Sequence, residues 1–184
     1  MSPIEVVRSR RKTLSLELKD DGRVLLRAPL WCSRRQLNAF LETNRGWIER
    51  KLRESEERRE ALAQIPKLSE EELRALQKQG RQVFPARCAE FAPLLGVDYG
   101  RVSVRRQRSK WGSCSAKGNL NFNCLLLLAP ERVLDYVVAH ELCHRLEMNH
   151  SKRFWALVER LRPDFREARR WLRQNGGALM ARLP

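Results

Sequence analysis

Residues 137–144 read VVAHELCH, and a third histidine follows at position 150. His140 and His144 are four residues apart, so on a helix their imidazoles project from one face and can bind one metal ion. Glu141 lies between them, where its carboxylate would stand beside a metal-bound water. These three histidines are all that the chain has, so the HExxH motif predicts a catalytic Zn²⁺ site on a helix. A helix with surface histidines and no metal is the alternative interpretation.

The third histidine places a demand on the chain. On an unbroken helix His150 would lie roughly 9 Å further along the axis and on a different face, whereas zinc–nitrogen bonds are about 2 Å long. The chain must therefore turn between Arg145 and His150. Asn149 is the residue best suited to the left-handed conformation that ends a helix, and Ser151 can cap the helix that follows. Three histidine ligands would leave the fourth coordination position open.

Two known ligand arrangements compete for this spacing. The histidines match the metzincin pattern HExxHxxGxxH, except that Glu147 stands in place of the glycine. In the gluzincin arrangement a downstream glutamate, such as Glu159 or Glu167, would replace His150 as the third ligand.

The region before the motif helix contains candidate substrate-binding residues. Residues 101–117 carry six basic residues and no acidic one. They include a predicted strand and a turn-rich loop, KWGSCS. A second strand, expected over residues 120–127, places its asparagines on one face, which indicates either a solvent-exposed edge or a cleft edge that holds an extended substrate. Tyr136 lies one turn before His140. The substrate-binding candidates are Arg105, Trp111, Asn121, Asn123 and Tyr136.

The N-terminal part has a different pattern. Alternating apolar residues over 11–29 predict a β-hairpin with its turn at Asp21-Gly22. Ser33 is a candidate N-cap for a helix with apolar residues over 37–52. A second helical stretch over 70–95 contains Pro85, which predicts a kink or a break. The sequence therefore predicts two domains, a β-hairpin and helix module at 1–66 and a catalytic domain at 67–184.

Composition limits where the protein acts and what it meets. The net charge of +15 and the pI near 10.6 favour polyanionic partners such as nucleic acid or nucleotides, or else a solubilising surface. Five cysteines, an odd number without a CxxC pair, favour a reducing compartment. The longest apolar run, residues 124–130, is too short to cross a bilayer, and the N-terminus lacks a long apolar segment. We expect a cytoplasmic protein without a membrane partner.

With these pieces assembled, the chain resembles the YgjP-like metallopeptidase-like family, which is related to the SprT-like and WLM zinc proteases. The matching segments are residues 110–115, 118–120 and 135–144, then 149–151 with Phe154 and Trp155. The resemblance implies a zincin-like α+β fold with a small, mostly antiparallel sheet packed on the HExxH helix. It also implies His140, His144 and His150 as zinc ligands and Glu141 as the general base.

Three functions stay open at the level of sequence. The first is zinc-dependent cleavage of peptide bonds, and the WLM relatives point to proteins on DNA as substrates. The second is metal-dependent hydrolysis of nucleoside triphosphates to release pyrophosphate, as some YgjP-like proteins are labelled; it lacks a glycine-rich phosphate loop here. The third is a zinc-stabilised nucleic-acid-binding domain without catalysis. The sequence does not decide the oligomeric state.

Overall fold

The computed structural model describes residues 4–19 and 21–184. Two units, Met1–Gln64 and Ile65–Pro184, can be distinguished in it. Each contains helices and a three-stranded sheet, so the predicted α+β class is confirmed. The assignment of independent domains at 1–66 and 67–184 stays a prediction. In the part of the chain that the structure describes, no helix combines the length and the apolar character needed to span a bilayer.

The sheet of the first unit confirms the hairpin and adds a strand. In spatial order its strands are β1 (Ile4–Ser9), β3 (Val24–Pro29) and β2 (Ser15–Leu18). β2 and β3 are antiparallel, and at their turn the Gly22 amide donates to the Lys19 carbonyl at 2.9 Å. Gly22 has a φ of 82°, which explains the glycine. Asp20, beside the turn, lies outside the described residues. β1, which the alternation did not predict, pairs in parallel with β3.

Two helices follow the sheet, α1 at Arg34–Thr43 and α2 at Arg45–Ala63. Ser33 caps α1 as predicted, because its hydroxyl accepts from the Gln36 amide at 3.3 Å and the Gln36 side chain accepts from the Ser33 amide at 2.8 Å. The helical pattern over 37–52 is interrupted at Asn44. The side-chain amide of Asn44 donates to the Phe40 carbonyl at 2.8 Å and so satisfies the last turn of α1.

The sheet of the second unit is mixed. Its strands, in spatial order, are β4 (Val102–Arg105), β6 (Leu120–Asn123) and β5 (Gly112–Cys114). β5 and β6 form an antiparallel hairpin, whereas β4 lies on the far side of β6 and runs parallel to it. The expected mostly antiparallel sheet is corrected on this point, because β4 does not pair with β5, its neighbour in the sequence.

β6 is shorter than the strand expected over residues 120–127. Its last residue is Asn123, whose side-chain oxygen accepts from the Leu125 amide at 3.1 Å. This local hydrogen bond starts a short 3₁₀ helix at Cys124–Leu128. The alternation of buried and polar positions therefore ends at Asn123, and the next three side chains are all buried.

Four longer helices surround the sheet: α3 (Glu70–Leu95), α4 (Glu131–Cys143), α5 (Lys152–Leu161) and α6 (Phe165–Ala181). α3 passes through Pro85 without a break. Phe84 and Cys88, on either side of the proline, are fully buried, and Phe84 stacks on Phe122 of β6 with ring centroids 4.7 Å apart. Packing against the sheet thus outweighs the hydrogen bond that proline removes.

An ion network ties α4 to its neighbours. Asp135 on α4 is 7% exposed; one oxygen accepts from Arg162 at 2.6 Å, and the other lies 3.3 Å from Nε of Arg87 on α3. Arg162 follows α5 and also binds both carboxylate oxygens of Asp164 at 3.0 Å, just before α6. A single buried carboxylate therefore connects the helix that carries the HExxH motif to α3 and to the α5–α6 junction.

Replacing Asp135 by alanine should lower the free energy of unfolding by about 3 kcal/mol, because two partly buried guanidinium groups lose their shared partner. The matched control is Glu159→Ala, which removes an exposed pair with Arg166 and should cost less than about 1 kcal/mol. Urea denaturation followed by circular dichroism measures both values. Equal losses for the two variants would contradict a special role for the Asp135 network.

Candidate metal centre

The motif lies on a helix, as predicted, and presents two imidazoles together. His140 is in the last turn of α4, and His144 caps the C-terminus of that helix. Their ring centroids are 4.9 Å apart. The four-residue spacing is responsible, because residues four apart share one face of an α-helix. Both rings therefore face the same volume at the end of the helix.

The chain turns directly after His144 and returns the third histidine to the other two. Nε2 of His150 is 3.0 Å from Nε2 of His140, and one ligand atom from each histidine lies within 4.8 Å of the other two. The predicted break between Arg145 and His150 is thus present. Ser151 caps α5 by accepting from the Phe154 amide at 3.2 Å, as predicted.

The way in which the helix ends differs from the prediction. Asn149 does not adopt the left-handed conformation, since no non-glycine residue among those described has a positive φ. Instead the chain tightens after α4, where the amides of Arg145 and Leu146 donate to carbonyls three residues earlier, at 2.9 and 3.1 Å. Short-range hydrogen bonds of this 3₁₀ type can end a helix without a left-handed residue.

Glu147, at the position of the metzincin glycine, has a structural role through its backbone. Its amide donates to the Cys143 carbonyl at 3.0 Å, and its carbonyl is 3.1 Å from Nδ1 of His144. A carbonyl only accepts, so Nδ1 carries the proton and Nε2 keeps its electron pair for a metal. Because the backbone of Glu147 does not have a positive φ, no glycine is required there.

Two aromatic side chains of α5 support the three imidazoles. The ring of Phe154 has its centroid 4.6 to 4.8 Å from those of all three histidines, and its side chain is fully buried. Trp155 stacks on His150 with centroids 5.7 Å apart and an interplanar angle of 25°. This packing restricts the rotamers of the histidines, which fixes where their ring nitrogens point.

The protonation of the histidines suits metal binding. Burial, followed by the charges of His144, His150 and Arg169, lowers the pKa of His140 to about 3, and burial also lowers the pKa of His144. Both rings are therefore neutral near neutral pH and offer free electron pairs. Three imidazoles are a donor set that Zn²⁺ accepts, so the residues present fit this metal. Glu159, the alternative ligand, is instead paired with Arg166.

Glu141 is held in a tight position next to strand β5. The residue is 6% exposed, and burial raises the pKa of its carboxyl group to about 8, with the nearby Lys110 charge acting in the opposite direction. A Cβ atom on Gly112 would lie 2.6 Å from Oε1 of Glu141 and 2.7 Å from its Cγ. Only glycine at position 112 leaves room for this carboxylate.

Two of the five substrate-binding candidates lie beside this carboxylate. Trp111 and Tyr136 line a cleft of about 240 Å³ together with His140 and Glu141. The Tyr136 hydroxyl is 3.4 Å from Nδ1 of His140. Trp111 also packs against α6, where a Cβ on Gly176 would come within 3.0 Å of the indole.

The other three candidates have different positions. Asn123 is fully buried and donates to the carbonyls of Gln107 and Lys110 at 2.6 and 3.1 Å; it shapes the loop before β5 and cannot contact substrate. Arg105 lies on β4, the edge strand opposite β5, and donates to Asn121 at 3.3 Å. Neither of these two residues lines the cleft beside Glu141.

Comparison with known families agrees with this geometry. A family model described as "YgjP-like, metallopeptidase domain" matches residues 12–75 and 67–175, which together cover most of the chain. The chain belongs to the YgjP-like family. Searches of curated proteins and of solved structures each returned no significant match. Membership in a YgjP-like metallopeptidase family implies a metal cofactor, and the three histidines form a group that could hold it.

Three residues near the site of this YgjP-like protein were not singled out by the sequence. The sequence places Gly112 only in a turn-rich loop, because its role depends on Glu141, which is distant in sequence. Lys110 lines the cleft. Arg169 on α6 has its guanidinium carbon 4.3 Å from the centroid of the Trp155 ring. Its position among several arginines of α6 carried no signal of its own.

Zinc binding by the YgjP-like chain should depend on all three histidines. We expect one zinc ion per chain, and His144→Ala and His150→Ala should each weaken binding more than about tenfold, because each removes a direct ligand. Glu159→Ala and Glu167→Ala are the controls and should bind zinc like wild type. Competition with a chromophoric chelator measures the affinities. Loss of zinc in a glutamate variant but not in His150→Ala would favour the gluzincin arrangement.

The space at Gly112 can be tested without an activity assay. Gly112→Ala should lower the free energy of unfolding by about 1 to 3 kcal/mol, since the new methyl group overlaps Glu141. The cost should shrink in the Glu141→Ala background, where the overlapping carboxylate is absent. Gly46→Ala is the control, because nothing lies within 4 Å of a Cβ there. An unchanged cost in the double variant would contradict the contact.

Proposed function

We propose that the chain is a zinc-dependent metallopeptidase, with His140, His144 and His150 as metal ligands and Glu141 as the general base. One observation carries the proposal. Three imidazole nitrogens converge within 4.8 Å, and a buried carboxylate, Glu141, lies on the helix that presents two of them. Zinc in such a site supplies Lewis acidity, which activates water and polarises a carbonyl group. A purely structural zinc site has no use for a carboxylate at an open position.

Glu141 is suited to hold and move a proton. Its carboxylate would accept a proton from the attacking water and pass it to the nitrogen of the leaving amine. Burial favours the neutral carboxyl group, and the neighbouring Lys110 favours the charged one. These opposing influences bring the two protonation states of Glu141 closer in energy near neutral pH, which is what a group that both takes and returns a proton requires.

The free edge of β5 favours a peptide as substrate. In the hairpin with β6, the Asn123 amide donates to the Trp111 carbonyl at 2.8 Å and the Ser115 amide to the Asn119 carbonyl at 3.0 Å. Hydrogen-bonded pairs alternate along antiparallel strands, so the N–H and C=O groups of the intervening Gly112 point away from β6. We infer that an extended peptide pairs with β5 at this point, next to Glu141.

Tyr136 and Trp111 have separate roles in this proposal. Burial raises the pKa of Tyr136 to about 12, so its hydroxyl stays protonated. If Nε2 of His140 held the metal, its Nδ1–H would donate to the Tyr136 oxygen, 3.4 Å away, and would thereby orient the imidazole. Trp111 forms an apolar wall of the cleft and restricts the access of solvent to Glu141.

A second candidate is hydrolysis of a nucleoside triphosphate at the same centre. Lys110 at the cleft and Arg169 beside Trp155 favour it, because they place positive charge near the histidines. Two other arginines of the basic stretch 101–117 weaken this second candidate, because they already have partners. Arg106 is engaged with Glu70 at 2.8 Å, and Arg108 donates to the Pro184 carbonyl.

We propose a reducing, cytoplasmic site of action. All five cysteines are free, and four of them are buried. Burial raises the pKa of Cys88 and Cys143 to about 12, so these thiols remain protonated and unreactive. A reducing compartment accords with this use of cysteine as a small apolar residue.

Cleavage of an unfolded, fluorescently labelled protein by the zinc-loaded chain tests the proposal. Glu141→Gln should reduce the rate by about a hundredfold or more, because the amide cannot accept the water proton. Zinc content measured on the same samples should stay at the wild-type value. Equal cleavage by both proteins would remove Glu141 from the mechanism.

The same proteins separate the competing functions. Pyrophosphate release from a nucleotide panel that is lost in His144→Ala, without peptide cleavage, would favour the second candidate. Salt-dependent DNA binding with neither kind of hydrolysis would favour a zinc-stabilised binding domain.

A further inference from the structure

One end of the first unit's sheet gathers two segments that are far apart in sequence. β1 and β3 run parallel, so both finish at the same end of the sheet, where Ser9 pairs with Pro29. The Leu30 amide continues the pairing by donating to the Ser9 carbonyl at 3.1 Å. Residues 10–14, which join β1 to β2, therefore lie at the same end of the sheet as residues 30–33, which connect β3 to α1.

The connection displays a tryptophan to solvent. Trp31 is 69% exposed and Leu30 is 59% exposed. The turn is nevertheless firmly held, because Arg8 donates to the Cys32 carbonyl at 2.6 Å and to the carbonyls of Pro29 and Leu30 at 3.3 and 3.2 Å. Cys32, the next residue, is 4% exposed and anchors the turn in the core. A rigid backbone thus presents an indole ring that the core does not use.

Positive charge is concentrated in the segments at this end of the sheet. Residues 6–16 and 22–41 contain no acidic residue. Six basic side chains in these segments are exposed. Arg23 is paired with Glu5 and Asp21, and Arg8 holds the carbonyls of the turn. None of the other four makes an ion pair within residues 4–19 and 21–184. They are Arg10, Lys12, Arg34 and Arg35. With Trp31 they form what we call the Trp31 surface.

Two of these arginines act against local stability. Arg34 and Arg35 occupy the first turn of α1, and that turn contains no acidic residue. Positive charge is unfavourable there, because the N-terminus of a helix carries partial positive charge. By contrast, the exposed arginines of α2 are interleaved with glutamates. Unfavourable charges at a helix N-terminus, with no compensating contact, are expected at functional sites such as binding surfaces.

We propose that the Trp31 surface binds single-stranded nucleic acid, with an unpaired base stacked on Trp31 and phosphates on the four basic side chains. The uncompensated charge selects a polyanion. The exposed indole selects a polyanion with accessible flat rings, since bases stack on aromatic side chains in a sequence-tolerant way. A duplex hides the faces of its bases. The inference uses only the first unit and does not depend on the metal centre.

Binding of a labelled single-stranded oligonucleotide of about 15 nucleotides to the full chain, followed by fluorescence anisotropy, tests the proposal. Trp31→Ala should raise the Kd about tenfold, and Trp31→Phe should restore most of the affinity, because phenylalanine keeps a stacking face. Replacing Arg10, Lys12, Arg34 and Arg35 by serine should raise the Kd and flatten its dependence on salt.

Two control variants match these changes elsewhere. Leu94→Ala removes a side chain of similar exposure, 62%, from the second unit. Arg53→Ser with Arg58→Ser removes charge from α2. Both should bind like wild type. Circular dichroism confirms folding of every variant.

Three results would overturn the proposal. The first is a Kd for Trp31→Ala no higher than that for Leu94→Ala. The second is equal affinity for a duplex of the same length, which would leave charge attraction without stacking. The third is Trp31-dependent binding to vesicles of phosphatidylcholine and phosphatidylserine without binding to the oligonucleotide, which would assign the surface to an anionic membrane.

Discussion

The structure of the second unit depends on bringing three imidazole nitrogens to one point. A single helix can supply only two, since a third histidine further along would leave the shared face. α4 therefore ends at the second histidine, His144, and the chain returns His150 within six residues. α5 follows immediately, and its buried Phe154 touches all three rings. The same turn uses the Glu147 carbonyl to set the protonation of His144. Ligand placement, tautomer and helix order thus follow from one geometric requirement.

The centre also requires buried charge, and the surrounding fold accommodates it. Glu141 lies in a nearly closed space that exists because position 112 has no side chain. Asp135, one and a half turns earlier on α4, holds its charge through Arg87 and Arg162. An unpaired buried carboxylate is costly, and the two buried acids of this helix have different surroundings. The charge of Asp135 is compensated by two arginines, which connects three helices. Glu141, by contrast, makes no ion pair among the described residues.

Positive charge is distributed unevenly over the chain. Many arginines are paired with nearby acids, as in the network around Asp135. The Trp31 surface differs, because its four cations make no ion pair among the described residues and lie at the same end of the sheet as an exposed indole. Lys110 and Arg169 form a smaller concentration near the metal centre. The positive charge is therefore concentrated at two places. The Trp31 surface is the proposed site for nucleic acid, and Lys110 with Arg169 would meet groups that enter the cleft.

The HExxH helix, the need for a turn before His150, and the caps at Ser33 and Ser151 could all be predicted from the sequence. All of these follow from spacing or from neighbours within a few residues. By contrast, three features required the folded structure: β4 runs parallel to β6, Asn123 is buried, and Gly112 faces Glu141. Such contacts join residues that are far apart in the chain. The alternation of the asparagines in β6 would be the same whether their side chains faced a cleft or a loop. Local periodicity shows which residues lie on the same face of a helix or strand, whereas tertiary packing decides what that face contacts.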